Sequence, residues 1–191
     1  MVIVFDKNEI YFANVVEYRT PQNSAHLRSV DISIKSEENL DIWHPNEGML
    51  IYVDSEYARI TDIARYELKV PTELNYDTLK TLYEEMVKLI KKHGYSAHKN
   101  CYPFNIIITD GKTVYEISGR GYIKSLHPTN TMATFFEGEG AACYSVDASH
   151  SPKERVAEFY ERMSEYYNRT VNDVVMLSTA GGEMIFVKKS Q

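Results

Sequence analysis

FNIIITDGKTVYEISGRGYI, residues 104–123, is the stretch that decides the fold. Phe104 to Thr109 and Thr113 to Ile117 are runs of β-branched and aromatic residues. Asp110-Gly111 lies between them and readily supplies the positive φ angles of a tight hairpin turn. Gly121 to Leu126 adds a third strand. Working outward, the preceding segment carries Leu79, Leu82, Met86, Leu89 and Ile90 on one stripe, with Lys91, Lys92 and His93 late and Gly94 after them. This predicts a long amphipathic helix. A helix also fits residues 55–69, where Ala58, Ile60, Ile63, Ala64 and Leu68 fall at helical spacing before Pro71.

The chain opens on VIVF, DKNE and IYFANVV, a strand, a polar turn and a strand. Val30 to Ile34 and Gly48 to Val53 are further strand candidates, so four strands precede any helix. Downstream, FFEGEG (residues 135–140) leads into Ala141, Ala142, Ser145 and Ala148, read as a short helix packed tightly on a sheet. Ser151-Pro152-Lys153-Glu154 is a capping box that starts a helix with Val156, Phe159, Met163 and Tyr166 on its buried face. Val174 to Ser178 and Met184 to Val187 flank a glycine turn as a closing hairpin.

The chain has 191 residues, 43% hydrophobic and 25% charged, which suits one domain spanning 1–191. No run approaches the eighteen or so apolar residues of a membrane span, and no basic leader precedes the first strand. A soluble cytoplasmic protein is expected. The net charge of −6 disfavours nucleic acid. Two cysteines, Cys101 and Cys143, suit reduced thiols. No glycine loop of the phosphate-cradling kind appears, and neither a cofactor nor a metal is expected. The one tight group of candidate ligands, His93, His98 and Cys101, is one short of a closed zinc site.

The residues 104–123, and FFEGEGAACYSVDASHSPKERVAEFYERM after them, resemble segments of the N-terminal-nucleophile hydrolases, closest to HslV and proteasome β-subunits. The resemblance extends from about Val2 to Val187. It implies an α+β fold, a four-layer αββα sandwich with antiparallel sheets. It also implies a Thr, Ser or Cys at the head of the first strand, attacking an amide carbonyl with its own α-amine as base. That place holds Met1 or Val2, neither with an oxygen or thiol. The acidic position at the end of the second strand falls near Asn14 or Val15. The lysine position falls near Asn39-Leu40, with Lys35 a few residues off. In the family's Gly-Ser-Gly segment this chain has Gly138, Glu139 and Gly140.

Four departures at four functional places point to a domain without catalysis, serving in assembly or protein binding as a homo-oligomer, with a further protein partner left open. Two alternatives stand beside this reading. One is a peptidase or amidase with another nucleophile, such as Thr20, Ser24 or Ser29 exposed by cleavage, or Cys101 with His98 or Cys143 with His150. Another is a small-molecule-binding domain using the vestigial cleft. For the tyrosines Tyr160, Tyr166 and Tyr167, an interface competes with plain core packing. Tyr83 and Val87, outside the main stripe of the long helix, suggest a face buried by a neighbouring subunit.

Overall fold

The computed structural model describes residues 1–7, 9–15, 37, 40–126, 132–137, 140–145, 147–167 and 174–187. The first hairpin is β1 (Val2–Asp6) and β2 (Glu9–Val15). Two strands follow, β3 (Ile42–Trp43) and β4 (Leu50–Asp54), then α1 (Ala58–Glu67) and α2 (Tyr76–Lys92). The decisive stretch forms β5 (Asn105–Thr109), β6 (Val114–Ser118) and β7 (Ile123–Leu126). The chain ends with β8 (Met132–Glu137), β9 (Gly140–Ser145), α3 (Pro152–Tyr167), β10 (Val174–Ser178) and β11 (Ile185–Val187). The candidate strand from Val30 to Ile34 lies outside the described residues, as do Thr20, Ser24 and Ser29.

All described strand pairs are antiparallel, in a six-stranded sheet ordered β11-β10-β2-β1-β8-β9 and a five-stranded sheet ordered β3-β4-β5-β6-β7. Three apolar clusters give the stacking. Ile51, Val53, Ile106, Ile108 and Ile117 of the smaller sheet pack on Ile60, Leu79, Leu82 and Met86 of α1 and α2. The opposite face of that sheet, with Leu50, Ile107 and Val114, meets Ile3, Ile10, Phe12 and Leu177 of the larger sheet. On the far side of the larger sheet, Val2, Val4 and Met176 lie against Val156 and Phe159 of α3. Both faces of each central strand are therefore covered, which is why these strands read as unbroken apolar runs instead of alternating ones.

The helix starts follow their sequences. Asn75 caps α2 in a reciprocal box with Thr78, each side chain taking the other residue's backbone N–H at 3.0 and 2.9 Å. Glu154 Oε2 accepts from the Ser151 N–H at 2.7 Å and Ser151 Oγ accepts from the Glu154 N–H, so the capping box ahead of α3 forms as read. Arg155, only 2% exposed, donates to the carbonyls of Phe5, Ala148 and His150 and to Asp6 Oδ1 at 2.8 Å. That fork ties the first turn of α3 to the end of β1, and its charge is paired rather than stranded.

Two expectations change. The small-residue run at Ala141, Ala142 and Ser145 is strand β9, paired along its whole length with β8 from Met132↔Ser145 to Glu137↔Gly140. Small side chains carry little preference of their own, and an adjacent strand two residues away offers every backbone group a partner at once. Tyr83 and Val87 pack against the core under α2. Tyr83 reaches Gly121 and donates to the Gly119 carbonyl at 3.3 Å, and both side chains remain partly exposed. Tyr160 is 7% exposed and donates to the Ala13 carbonyl at 3.2 Å, a core residue with a satisfied hydroxyl. No helix among the described residues is long and apolar enough to cross a membrane.

Candidate functional site

Residue 1 stands immediately before β1. Val2 pairs with Ala13 and with Phe135, so the β1–β2–β8 registers carry Val15, the end of β8 and the start of β9 to the same end of the larger sheet as Met1. Met1 is 5% exposed and belongs to the cluster between the sheets together with Leu40, which is buried in the same cluster. Val2, the next residue, points the other way, toward α3. Val15 pairs with Val174 at the end of β2, and Gly140 opens β9 opposite Glu137. Gly138 and Glu139 lie outside the described residues.

Polar side chains gather on the inner face of the smaller sheet. Leu50 and Tyr52, Ile107, and Val114 face the inter-sheet cluster. By two-residue alternation, Asp54, Asn105, Glu116 and Ser118 face the same way. The registers align Asp54, Asn105 and Ser118 in one row and Tyr52, Ile107, Glu116 and Lys124 in the next. Asn105 Nδ2 donates to Glu116 Oε1 at 3.2 Å. The exposed Lys124 ammonium lies 3.9 Å from Glu116 Oε2, whose side chain is 2% exposed. Ser118 Oγ accepts from the Tyr122 N–H at 3.2 Å and so serves the β6–β7 turn.

Tyr52 marks where this patch ends. Burial first, then the charges of Asp54 and Asp41, hold its phenol far above the ordinary range, so the hydroxyl stays protonated. It also lies within electrostatic reach of Tyr160, whose hydroxyl bonds Ala13, the residue opposite Val2. Near Leu40, the Arg65 guanidinium donates to the Leu40 carbonyl and lies 4.4 Å over the Trp43 ring.

The arrangement supplies carboxylates, one amide, one cation and an aromatic donor, while residue 1 itself contributes a thioether. Sequence reasoning missed Asn105, Glu116 and Tyr52. A signal was there: VYEIS places a single carboxylate amid apolar residues at a strand position whose neighbours two residues away are buried.

The other candidates separate. His93 Nε2 meets Glu67 Oε1 at 2.6 Å, across from α1, whereas His98 and Cys101 exchange backbone bonds of 2.9 Å around a two-residue turn. Among the described residues no group of three or more His, Cys, Asp or Glu is placed to hold a metal. His150 lies 3.7 Å from Asp147 and 3.6 Å from Glu158. The side chain of Cys143 lies outside what is described.

No protein-family model matches this chain, and no curated protein matches it. Solved structures do. BPH of Thiobacillus denitrificans in complex with epoxomicin is similar with a TM-score of 0.56 at 13% identity, covering 93% of this chain and 96% of that one. A second structure of the same BPH gives a TM-score of 0.54 at 11% identity, covering 93% and 95%. At these identities the likeness is one of fold.

Proposed function

We propose that this chain is a non-catalytic, HslV- and proteasome-like subunit in the cytoplasm, a four-layer αββα domain of the N-terminal-nucleophile type that acts in assembly or protein binding. The observation that carries the reading is the burial of Met1 in the inter-sheet cluster, at the head of β1, where a nucleophile of the resembled family would stand. A thioether has no proton to give up and no anionic form with which to attack a carbonyl. The neighbouring Val2 is turned away and fully buried. Support for the fold comes from the stacking of α3, two sheets and the α1–α2 pair, and from the likeness to BPH over 93% of the chain.

Purified protein is expected to turn over no fluorogenic peptide above background, and epoxomicin, which BPH holds, is expected to leave its melting temperature unchanged. Turnover that persists through purification to homogeneity and is abolished by epoxomicin would sink the non-catalytic reading. The assembly half is tested by light scattering at micromolar protein, where more than one chain per particle is expected; a monomer at every salt concentration counts against it.

A further inference from the structure

A cavity of about 690 Å³ opens where the connection from β4 to α1 meets the chain between α2 and β5. Its lining includes Asp54, Glu56, Tyr57, Tyr95, Tyr102 and Phe104, and it holds two carboxylates with neither Lys nor Arg. The Tyr57 and Tyr95 rings meet at 50° with centroids 5.3 Å apart, an open V rather than a stack. Tyr102 and Phe104 lie nearly parallel, with centroids 6.4 Å apart. Aromatic faces are the negative end of the ring quadrupole, so rings and carboxylates act in the same electrostatic sense. The N-terminal end of α1 adds roughly half a positive charge. The two carboxylates exceed it.

The walls are held in place. Ser55 Oγ donates to the Pro103 carbonyl at 2.5 Å and accepts from the Tyr57 N–H at 3.1 Å, pinning the β4–α1 connection to the entry of β5. On the far wall, Lys99 and Asn100 turn the chain at φ 49 and 63, a conformation side-chain-bearing residues rarely adopt, and so set His98 and Cys101 at the cavity edge. One ring already holds a cation, since Lys91 Nζ lies 5.5 Å over Tyr102.

We propose that this cavity binds a small organic cation, an ammonium group on a short apolar body, with Asp54 and Glu56 as countercharge and the tyrosine rings as walls. Two carboxylates among aromatic rings suit a weakly hydrated organic cation better than a metal ion, which demands a compact shell of oxygen ligands. The proposal does not depend on the proteasome-like reading. It is tested on the full chain by following backbone amides in two-dimensional NMR during titration with choline chloride. Parallel titrations use sodium chloride at equal ionic strength and 3,3-dimethylbutan-1-ol, the uncharged isostere.

Saturable shifts around Tyr57, Tyr95 and Tyr102 are expected with choline alone. Glu56→Gln, at an exposed position that disturbs no packing, should weaken choline binding by about two- to fivefold. Lys91→Met should tighten it by removing a competing cation. No saturable response to choline, an equal response to the alcohol, or unchanged choline affinity in Glu56→Gln would each overturn the proposal.

Discussion

Val2 is 0% exposed beneath α3, and Met1 is 5% exposed between the sheets, although both head the same strand. The difference matters for any attempt to restore a nucleophile. Val2→Thr would place its hydroxyl against Val156 and Phe159 rather than in the inter-sheet space. Burying that hydroxyl without a partner costs about 1–3 kcal/mol. The expected result is a lower melting temperature with no gain of peptide turnover, both read on one preparation. A stable variant with clear peptidase activity would show that Val2 faces reacting groups. The sequence shows that VIVF begins a strand but not which residue faces which layer, because a strand covered on both faces lacks the alternation that reveals a side. The opposite holds for Glu116, a carboxylate in an apolar strand whose facing residues are legible from Val114 and Ser118.

At the scale of elements, helices were the most legible because caps and stripes are local. The Ser151–Glu154 box, read from the sequence, and the Asn75–Thr78 box, which was not, each sit within four residues of chain. Strand β9 was misread because its state depends on β8 beside it, which no composition reports. One contact between helices gives a pH-dependent prediction. Glu67 at the end of α1 accepts from Lys92 Nζ at 3.0 Å and meets His93 Nε2 at 2.6 Å, both at the end of α2. Chiefly through the Lys92 bond, and then through His93, its carboxyl is held below the ordinary value. A carboxyl lowered on folding stabilises the native state above its unfolded pKa and loses that contribution as pH falls through the lowered folded value. Glu67→Gln should therefore narrow the gap between urea midpoints measured at about pH 7 and about pH 3, values that bracket the carboxylate range. Asp147 and Glu154, lowered by Ser149 and Ser151, keep their own share of that gap. An unchanged gap would mean that the Glu67 contacts contribute nothing in solution.

For the whole molecule, the strand order was beyond the sequence: β1 lies between β2 and β8, and β10 pairs with β2 across most of the chain. Such pairings are settled by which faces can be covered together, not by local pattern. The two sheets are also joined by polar contacts, away from residue 1. His44 follows β3 of the smaller sheet. Its Nδ1 lies 2.6 Å from Glu37 Oε1 and its Nε2 lies 2.8 Å from the backbone carbonyl of Ser178, at the end of β10 in the larger sheet. Ser178 Oγ in turn donates to Glu9 Oε2, which also accepts from Tyr11 at 2.7 Å. A ring bridging a carboxylate and a carbonyl fixes the spacing of the sheets at that end, whereas the apolar cluster alone would tolerate sliding. His44→Phe keeps a planar ring at this place and removes both polar contacts. Glu37 is 32% exposed and can turn to water, so the loss falls mainly on the Ser178 carbonyl and on the bridge itself. A decrease of about 1–2 kcal/mol in unfolding free energy is expected, read from urea midpoints, with one cooperative transition retained because the three apolar clusters remain. Were the stability of His44→Phe equal to or above that of the parent, packing between the sheets would suffice without the bridge, and His44 would be a surface residue that happens to reach Ser178.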